Sequence, residues 1–312
     1  MRKRLQNKAA ESKFALPVVS VYAIGIWLIC GLIWENWWAQ LGCFFIATYL
    51  MVQLNNVNVL IRIYSRMMSC AFAAMTCCAC FLFPSVNKAI MEVCLISSLL
   101  FLTITYQDKQ SVGYTYYAYL MFGCASIFYA QLLYFMPLMW LLTATQLQSL
   151  SWRTWGASLL GTLTPYWFVS CGLLWAGDFT PLVNHFARLG QFMTPFKFSL
   201  LTSSQIAFYV FICILALTGT IHFLRQHRDD KIRVRLIYGF FIWLDLLSIL
   251  FLALQPQHYD SLIRISIIAT SPLIAHFLTL THTRVTNVAF FVLIGITLLL
   301  TGYNVWMFLS HS

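Results

Sequence analysis

The feature that most constrains this chain is its succession of long apolar runs, of which Leu236 to Leu254 is representative, interrupted by a single charge at Asp245. About 20 apolar residues are needed to cross a bilayer as a helix. The runs do not alternate at a period of two, so their backbone groups are satisfied within helices rather than in the closed ladder of a barrel. Composition agrees. Hydrophobic residues make up 61% of 312 and charged residues 9%, with a mean hydropathy of +0.78. A soluble domain of that composition would carry a vast exposed apolar surface. The expected fold is all-α, a polytopic transmembrane helical bundle forming one integral domain over 1–312.

Spans are expected at 15–34, 41–61, 67–84, 89–106, 114–130, 132–148, 156–176, 203–224, 236–254, 263–281 and 286–309, about eleven in all, with the N-terminus cytoplasmic and the C-terminus external. Fifteen of the 19 Lys and Arg residues then fall on the cytoplasmic side, as the positive-inside bias requires. They include a basic tail at 1–14 and a basic loop at 225–235 that carries Arg225, Arg228, Lys231, Arg233 and Arg235. The stretch Tyr114 to Gln148 is too long for one untilted span. Counting it as one would place the basic loop outside, so it reads as two short spans or as a hairpin broken near Pro137. The stretch Asp178 to Phe198 mixes Phe and Leu with His185, Arg188 and Lys197 between prolines, which predicts an external interfacial helix.

The net charge of +10 sits in clusters between apolar runs, so nucleic acid is not an expected partner. Membrane lipids are. The ten cysteines lie in apolar segments without zinc-type spacing, so no metal and no other cofactor is expected.

Several polar residues stand out against this background. Asp245 lies mid-span, where a carboxylate needs a partner. His276 lies in the next span, four residues after Pro272, and an antiparallel neighbour could set it beside Asp245 as a proton or ion site. Asn55, Asn58, Arg62, Ser65, Arg66 and Ser69 recur at three- and four-residue intervals. On a helix they would form one stripe suited to a phosphate or lipid headgroup, with arginine supplying planar contacts. His185 and Arg188 could line an external substrate entrance. Glu35, directly after the first span, is the one weak candidate for a catalytic general base, by the position such acids occupy in polyprenyl-phosphate-dependent glycosyltransferases. Glu92 and Asp260, the latter beside Arg264, read as solvated charges at helix ends.

The runs LNNVNVLIRIYSRMMS, FGCASIFYAQLLYFMPLMWLL and RTWGASLLGTLTPYWF together resemble a bacterial family of multi-pass inner-membrane proteins without an assigned activity, the likeness covering roughly 40–285. Members of it sometimes carry a carotene monooxygenase label. True carotenoid oxygenases use a soluble β-propeller with iron on four histidines, and the seven histidines here are scattered among helices. What the resemblance implies is an inner-membrane location. The Asn/Arg stripe inside and the aromatic, cationic segment outside set the expected function: binding or translocation of a lipid-linked or amphipathic anionic substrate in envelope biogenesis, more in keeping with a non-enzyme than with an enzyme. Three alternatives stand beside it: a proton-coupled solute transporter using Asp245 and His276, a polyprenyl-phosphate-dependent glycosyltransferase using Glu35, and a non-catalytic scaffold subunit. Nothing in the sequence names a protein partner.

Overall fold

The structure is a computed structural model that describes residues 5–226, 228, 230–281 and 283–311. Among them it has thirteen α-helices joined by turns and short 3₁₀ segments, and no strand. In chain order these are α1 (Leu5–Ala10), α2 (Ala15–Ile29), α3 (Trp38–Asn58), α4 (Met67–Cys78), α5 (Val86–Ile104), α6 (Val112–Phe128), α7 (Met136–Thr145), α8 (Trp152–Ala176), α9 (Thr180–Ala187), α10 (Ser203–Gln226), α11 (Ile232–Leu254), α12 (Tyr259–Leu280) and α13 (Arg284–His311). Six of them, α5, α8, α10, α11, α12 and α13, are long and apolar enough to cross a membrane. The apolar helices α2, α4 and α7 are shorter, with 15, 12 and 10 residues. At 1.5 Å per residue α4 covers about 18 Å of a hydrocarbon core about 30 Å thick.

Met1–Val86 and Phe196–Ser312 form one compact unit and Asn87–Pro195 a second. The first is built around α12, which is buried along almost its whole length although it carries Ser261, Arg264, Ser266, Thr270, Ser271, His276 and Thr279. A helix without an exposed face must offer its polar groups to neighbouring helices. Two neighbours are in fixed register with it. The connection 255–258 between α11 and α12 is short, so the two run antiparallel: Asp245 meets Thr270 and Ser248 meets Ser266, with facing residue numbers adding to 514 or 515. Helix α10 runs parallel to α12 at an offset of 54, with Tyr259 donating to the Gln205 carbonyl and His222 against His276. Gly219 permits that closeness, since a Cβ there would stand 2.8 Å from the Leu273 backbone.

Short α4 packs on α12 and is surrounded by α2, α3 and α13. Asn304 of α13 donates to the carbonyl of Cys78 (2.8 Å), and the hydroxyls of Tyr22 and Thr301 share a hydrogen bond of 2.6 Å. The α13 residues that face away from these contacts, such as Val285, Val292 and Leu299, are exposed and apolar, as a lipid-facing surface requires.

In the second unit α6 and α8 run parallel in intimate contact. A Cβ on Gly123 would meet the Thr162 carbonyl at 2.7 Å, and one on Gly161 would meet that of Tyr116 at 2.5 Å. These are backbone-to-backbone approaches that only small residues allow. Ser151 starts α8 with a reciprocal capping box to Thr154. The 114–148 stretch is interrupted at Tyr129, whose backbone is extended, followed by a 3₁₀ turn and then α7 with Pro137 in its first turn. The external segment expected at 178–198 is helical only over α9, followed by the short turn Arg188–Gly190.

Candidate functional site

The parallel and antiparallel registers gather four connections at one end of the first unit: α1 with residues 11–14, residues 59–66, the described part of the basic loop, and the turn from α12 to α13. Gln6 of α1 fixes the first of these. Its side-chain amide donates to the carbonyl of Leu278 and to the hydroxyl of Thr281, both at 2.7 Å. Lys8, Lys13, Arg62, Arg66 and the five cations of the basic loop lie on these segments. Residues 1–4 of the tail, and His227 and Asp229 of the loop, are outside the described residues.

The expected stripe from Asn55 to Ser69 does not exist as one helix face. Helix α3 ends at Asn58, Val59 takes a left-handed conformation (φ 50°, ψ 48°), and α4 starts only at Met67. Side chains of the stripe hold the intervening turn together. Asn55 accepts from the Ile61 N–H and donates to the Ser65 carbonyl, both at 3.3 Å. Ser65 accepts from the Met67 N–H, and Ser69 donates to the Arg66 carbonyl. Asn58 donates to the Leu54 carbonyl and accepts from Arg233 at 2.9 Å, tying the turn to the start of α11.

Arg62 and Arg66 thus part company. Arg62 reaches Asp230 of the basic loop, Nε to Oδ1 at 2.9 Å, an ion pair whose angle lies outside hydrogen-bond geometry. The other oxygen of Asp230 meets Nε2 of His276 at 3.0 Å. The side chains of Asp230 and His276 are fully buried, whereas that of Arg62 is 37% exposed. Around His276 stand the rings of Phe223, Tyr238 and His222, with centroids 5.0–5.4 Å away. The acid beside His276 is therefore Asp230, and Asp245 is elsewhere. With facing numbers adding to about 514, the α11 residue opposite His276 is Tyr238. Asp245, two helical turns further on, accepts from the Thr270 hydroxyl with both oxygens, at 3.0 and 3.1 Å. The carboxylate at the centre of α11 is thus satisfied by a neutral hydroxyl, the behaviour expected of an intramembrane acid with a structural partner.

Arg66 faces a different space. Its Nε donates to the Tyr64 hydroxyl at 3.2 Å, its guanidinium lies over the Tyr64 ring, and both residues line a cavity of about 450 Å³ between α2 and α3. Lys13, Ser20, Gln53 and Asn56 complete its polar wall, with Leu16, Pro17, Phe45 and Val52 as its apolar one. On the other side of α2 lies a second cavity, of about 500 Å³. It is lined almost wholly by apolar side chains of α2, α4, α12 and α13, among them Val18, Ala71, Met75, Leu278 and Leu293. Adjacent residues divide between the two: Ser12 and Met67 line the apolar cavity, Lys13 and Arg66 the basic one.

In the second unit His185 lies half-buried against Tyr166, Nε2 to hydroxyl at 3.3 Å. Its imidazole is held below the usual value by burial first and by nearby Arg188 second. Arg188 itself is exposed, and its carbonyl accepts from Gln131. The Asp178 carboxyl accepts from Thr180 at the start of α9, which lowers its proton affinity. Glu35 stands exposed on the turn between α2 and α3, where Gly31 supplies a φ of 109°. The expectation that Glu92 is a solvated charge is corrected, since it is 4% exposed; Asp260 is half-buried, and Arg264, also in α12, is 4% exposed and donates to the Leu82 carbonyl. Charged groups so placed need polar partners inside the protein. Among the described residues no cluster of three or more His, Cys, Asp or Glu side chains is arranged to hold a metal ion.

The residue of this cluster that sequence reasoning missed is Asp230. It sits in a run of charges that reads as a solvated loop, and the only signal for it is the spacing that brings the loop to the end of α12 where His276 lies. No protein-family model matches the chain, and no curated protein or solved structure was found to be similar to it.

Proposed function

We propose that this chain is a multi-pass membrane protein that binds or moves a lipid-linked or otherwise amphipathic anion, with its headgroup against Lys13 and Arg66 and its hydrocarbon in the neighbouring apolar space. The observation that carries this reading is the pair of cavities flanking the first turns of α2, one basic and one apolar. A free anion has no use for the second cavity and a neutral lipid none for the first. Arginine stacked on Tyr64 is preorganised for planar contact with a phosphate, and Lys13 adds a mobile charge. By the positive-inside bias the end that carries these groups faces the cytoplasm. The resemblance over 40–285 points to a bacterial inner membrane.

The test is binding of anionic lipid, phosphatidic acid and a polyprenyl phosphate, to the delipidated full chain in detergent, with phosphatidylcholine and inorganic phosphate as the contrasting ligands. Each cation near the membrane surface contributes about 1 kcal/mol. The Lys13→Gln/Arg66→Gln pair is therefore expected to weaken anionic-lipid binding about thirtyfold. Ala71→Leu, which fills the apolar cavity, should weaken lipid but leave the circular dichroism of the helices unchanged. Equal affinity for phosphatidylcholine, or displacement of lipid by phosphate alone, contradicts the reading.

A further inference from the structure

The cluster around His276 is independent of the two cavities. Asp230 accepts at Nε2 of His276, so in the neutral ring the proton sits on Nε2 and Nδ1 is a bare acceptor. That Nδ1 is buried and makes no hydrogen bond. Nε2 of His222, on the neighbouring ring with its centroid 5.4 Å away, is likewise buried without a hydrogen bond. Two buried imidazole nitrogens without partners, on adjacent rings of which one meets a carboxylate, are a costly arrangement for a purely structural contact, since each buried polar atom without a partner carries its desolvation penalty. It is the arrangement that accepts a proton: the added charge would be shared by two rings and balanced by Asp230.

We infer that His222 and His276 form a buried site for a single proton, connected to solvent through Asp230 and the exposed rim at Arg62. Among the described residues, Arg225 lies in the last turn of α10 and Arg233 and Arg235 in the first turn of α11, and the charged or titratable groups recorded against the site are four. Asp230 lies on the basic loop, Arg62 on the 59–66 turn, His222 on α10 and Tyr238 on α11. Of the other helices packed on α12, α4 carries thiols as its only ionisable groups, and Lys8 of α1 is exposed. Asp230 attracts the proton and Arg62 opposes it, so the site holds one added charge and resists a second. The transfer needs no other bond change: the added proton bonds to the bare Nδ1 of His276, whose Nε2–H stays on the Asp230 carboxylate, and it exchanges with the neighbouring ring of His222.

The experiment is a pH titration of the full chain, labelled with ¹⁵N-histidine, in lipid nanodiscs, with His222→Gln and His276→Gln assigning the two rings. The expected result is a common midpoint for both rings, with the second proton entering at least one pH unit lower. Asp230→Asn should lower that midpoint by a unit or more, a tenfold loss of proton affinity, and Arg62→Gln should raise it. Arg62 is partly exposed, so its variant carries the test even where Asp230→Asn does not fold. Two rings that titrate separately, each unaffected by loss of the other, overturn the inference. So does a midpoint that Arg62→Gln leaves in place.

Discussion

Replacing Asp230 by alanine removes the carboxylate that, among the described residues, touches His276, and the structure permits a working magnitude. The Asp230 side chain is fully buried and contacts two basic groups, at 2.9 and 3.0 Å. They do not suffer equally from its loss. Arg62 is 37% exposed, so its freed guanidinium turns to water and the pair accounts for no more than about 1 kcal/mol. His276 cannot turn away. Its Nε2–H loses its acceptor in a site without solvent, at about 1–3 kcal/mol, beside an Nδ1 that already lacks a partner. The expected cost is about 2–4 kcal/mol, at the lower edge of the range for breaking a buried ion pair. Asp230→Asn keeps an amide oxygen in place to accept from Nε2 and should cost only about 1 kcal/mol. The measurement is unfolding in mixed micelles by increasing SDS, followed by tryptophan fluorescence, with His276→Phe completing a double-mutant cycle. A coupling below about 0.5 kcal/mol, or equal losses for the alanine and asparagine variants, refutes the reasoning, because either result means that Nε2 of His276 does not depend on this carboxylate.

Four further outcomes can be checked by the same or simpler means. In α8, Gly161→Val should cost about 3 kcal/mol or prevent folding, because its Cβ meets the Tyr116 backbone, whereas Gly156→Ala, with open space around it, should gain about 0.5–1 kcal/mol. Val59→Gly should stabilise by about 1 kcal/mol, since a β-branched residue at φ 50° pays a penalty that glycine avoids. Thr270→Val should cost about 1–3 kcal/mol by stranding Asp245, and the double variant Thr270→Val/Asp245→Leu should recover most of it. Burial and Arg188 hold the His185 imidazole below its unfolded value of about 6.5. The unfolded segment then binds more protons, so the docking of α9 on Tyr166 is fully stable above that pH and weakens as pH falls through it; limited proteolysis at 178–198 should speed up on acidification in the native protein and lose that dependence in His185→Gln.

The helical class and most of the helix positions were legible because apolar runs of this length leave few alternatives. The expected spans from 203 onward match α10 to α13 to within about four residues at each end. Failure came where the sequence presents one periodicity and the chain uses two elements. Asn55, Asn58, Arg62 and Arg66 have helical spacing, but Val59 breaks the helix through a backbone conformation that its side chain disfavours, so local propensity gives no warning. Burial was misjudged for Glu92 for a related reason: a charge near a helix end looks solvated until packing shows what covers it. The pairing of His276 was, by contrast, decidable. A four-residue connection at 255–258 sets the register of α11 against α12, and that register places residue 276 opposite 238 and far from 245.

That register also separates two kinds of carboxylate in this molecule. Asp245 lies in the middle of α11 with a hydroxyl for a partner, one donor shared between its two oxygens that brings no opposite charge. Asp230 lies just before α11 with a guanidinium and an imidazole, where charge can be compensated and where one of the partners reaches solvent. Moving a charge into the centre of a membrane is far more costly than holding it at the end of a helix bundle among counter-charges. Ionic chemistry in the first unit therefore belongs at the end where Arg62 and Arg66 diverge, one toward the buried acid and the other toward the basic cavity. The eight residues from Val59 to Arg66 that replace the expected continuous helix are what allows two arginines four positions apart to serve separate sites.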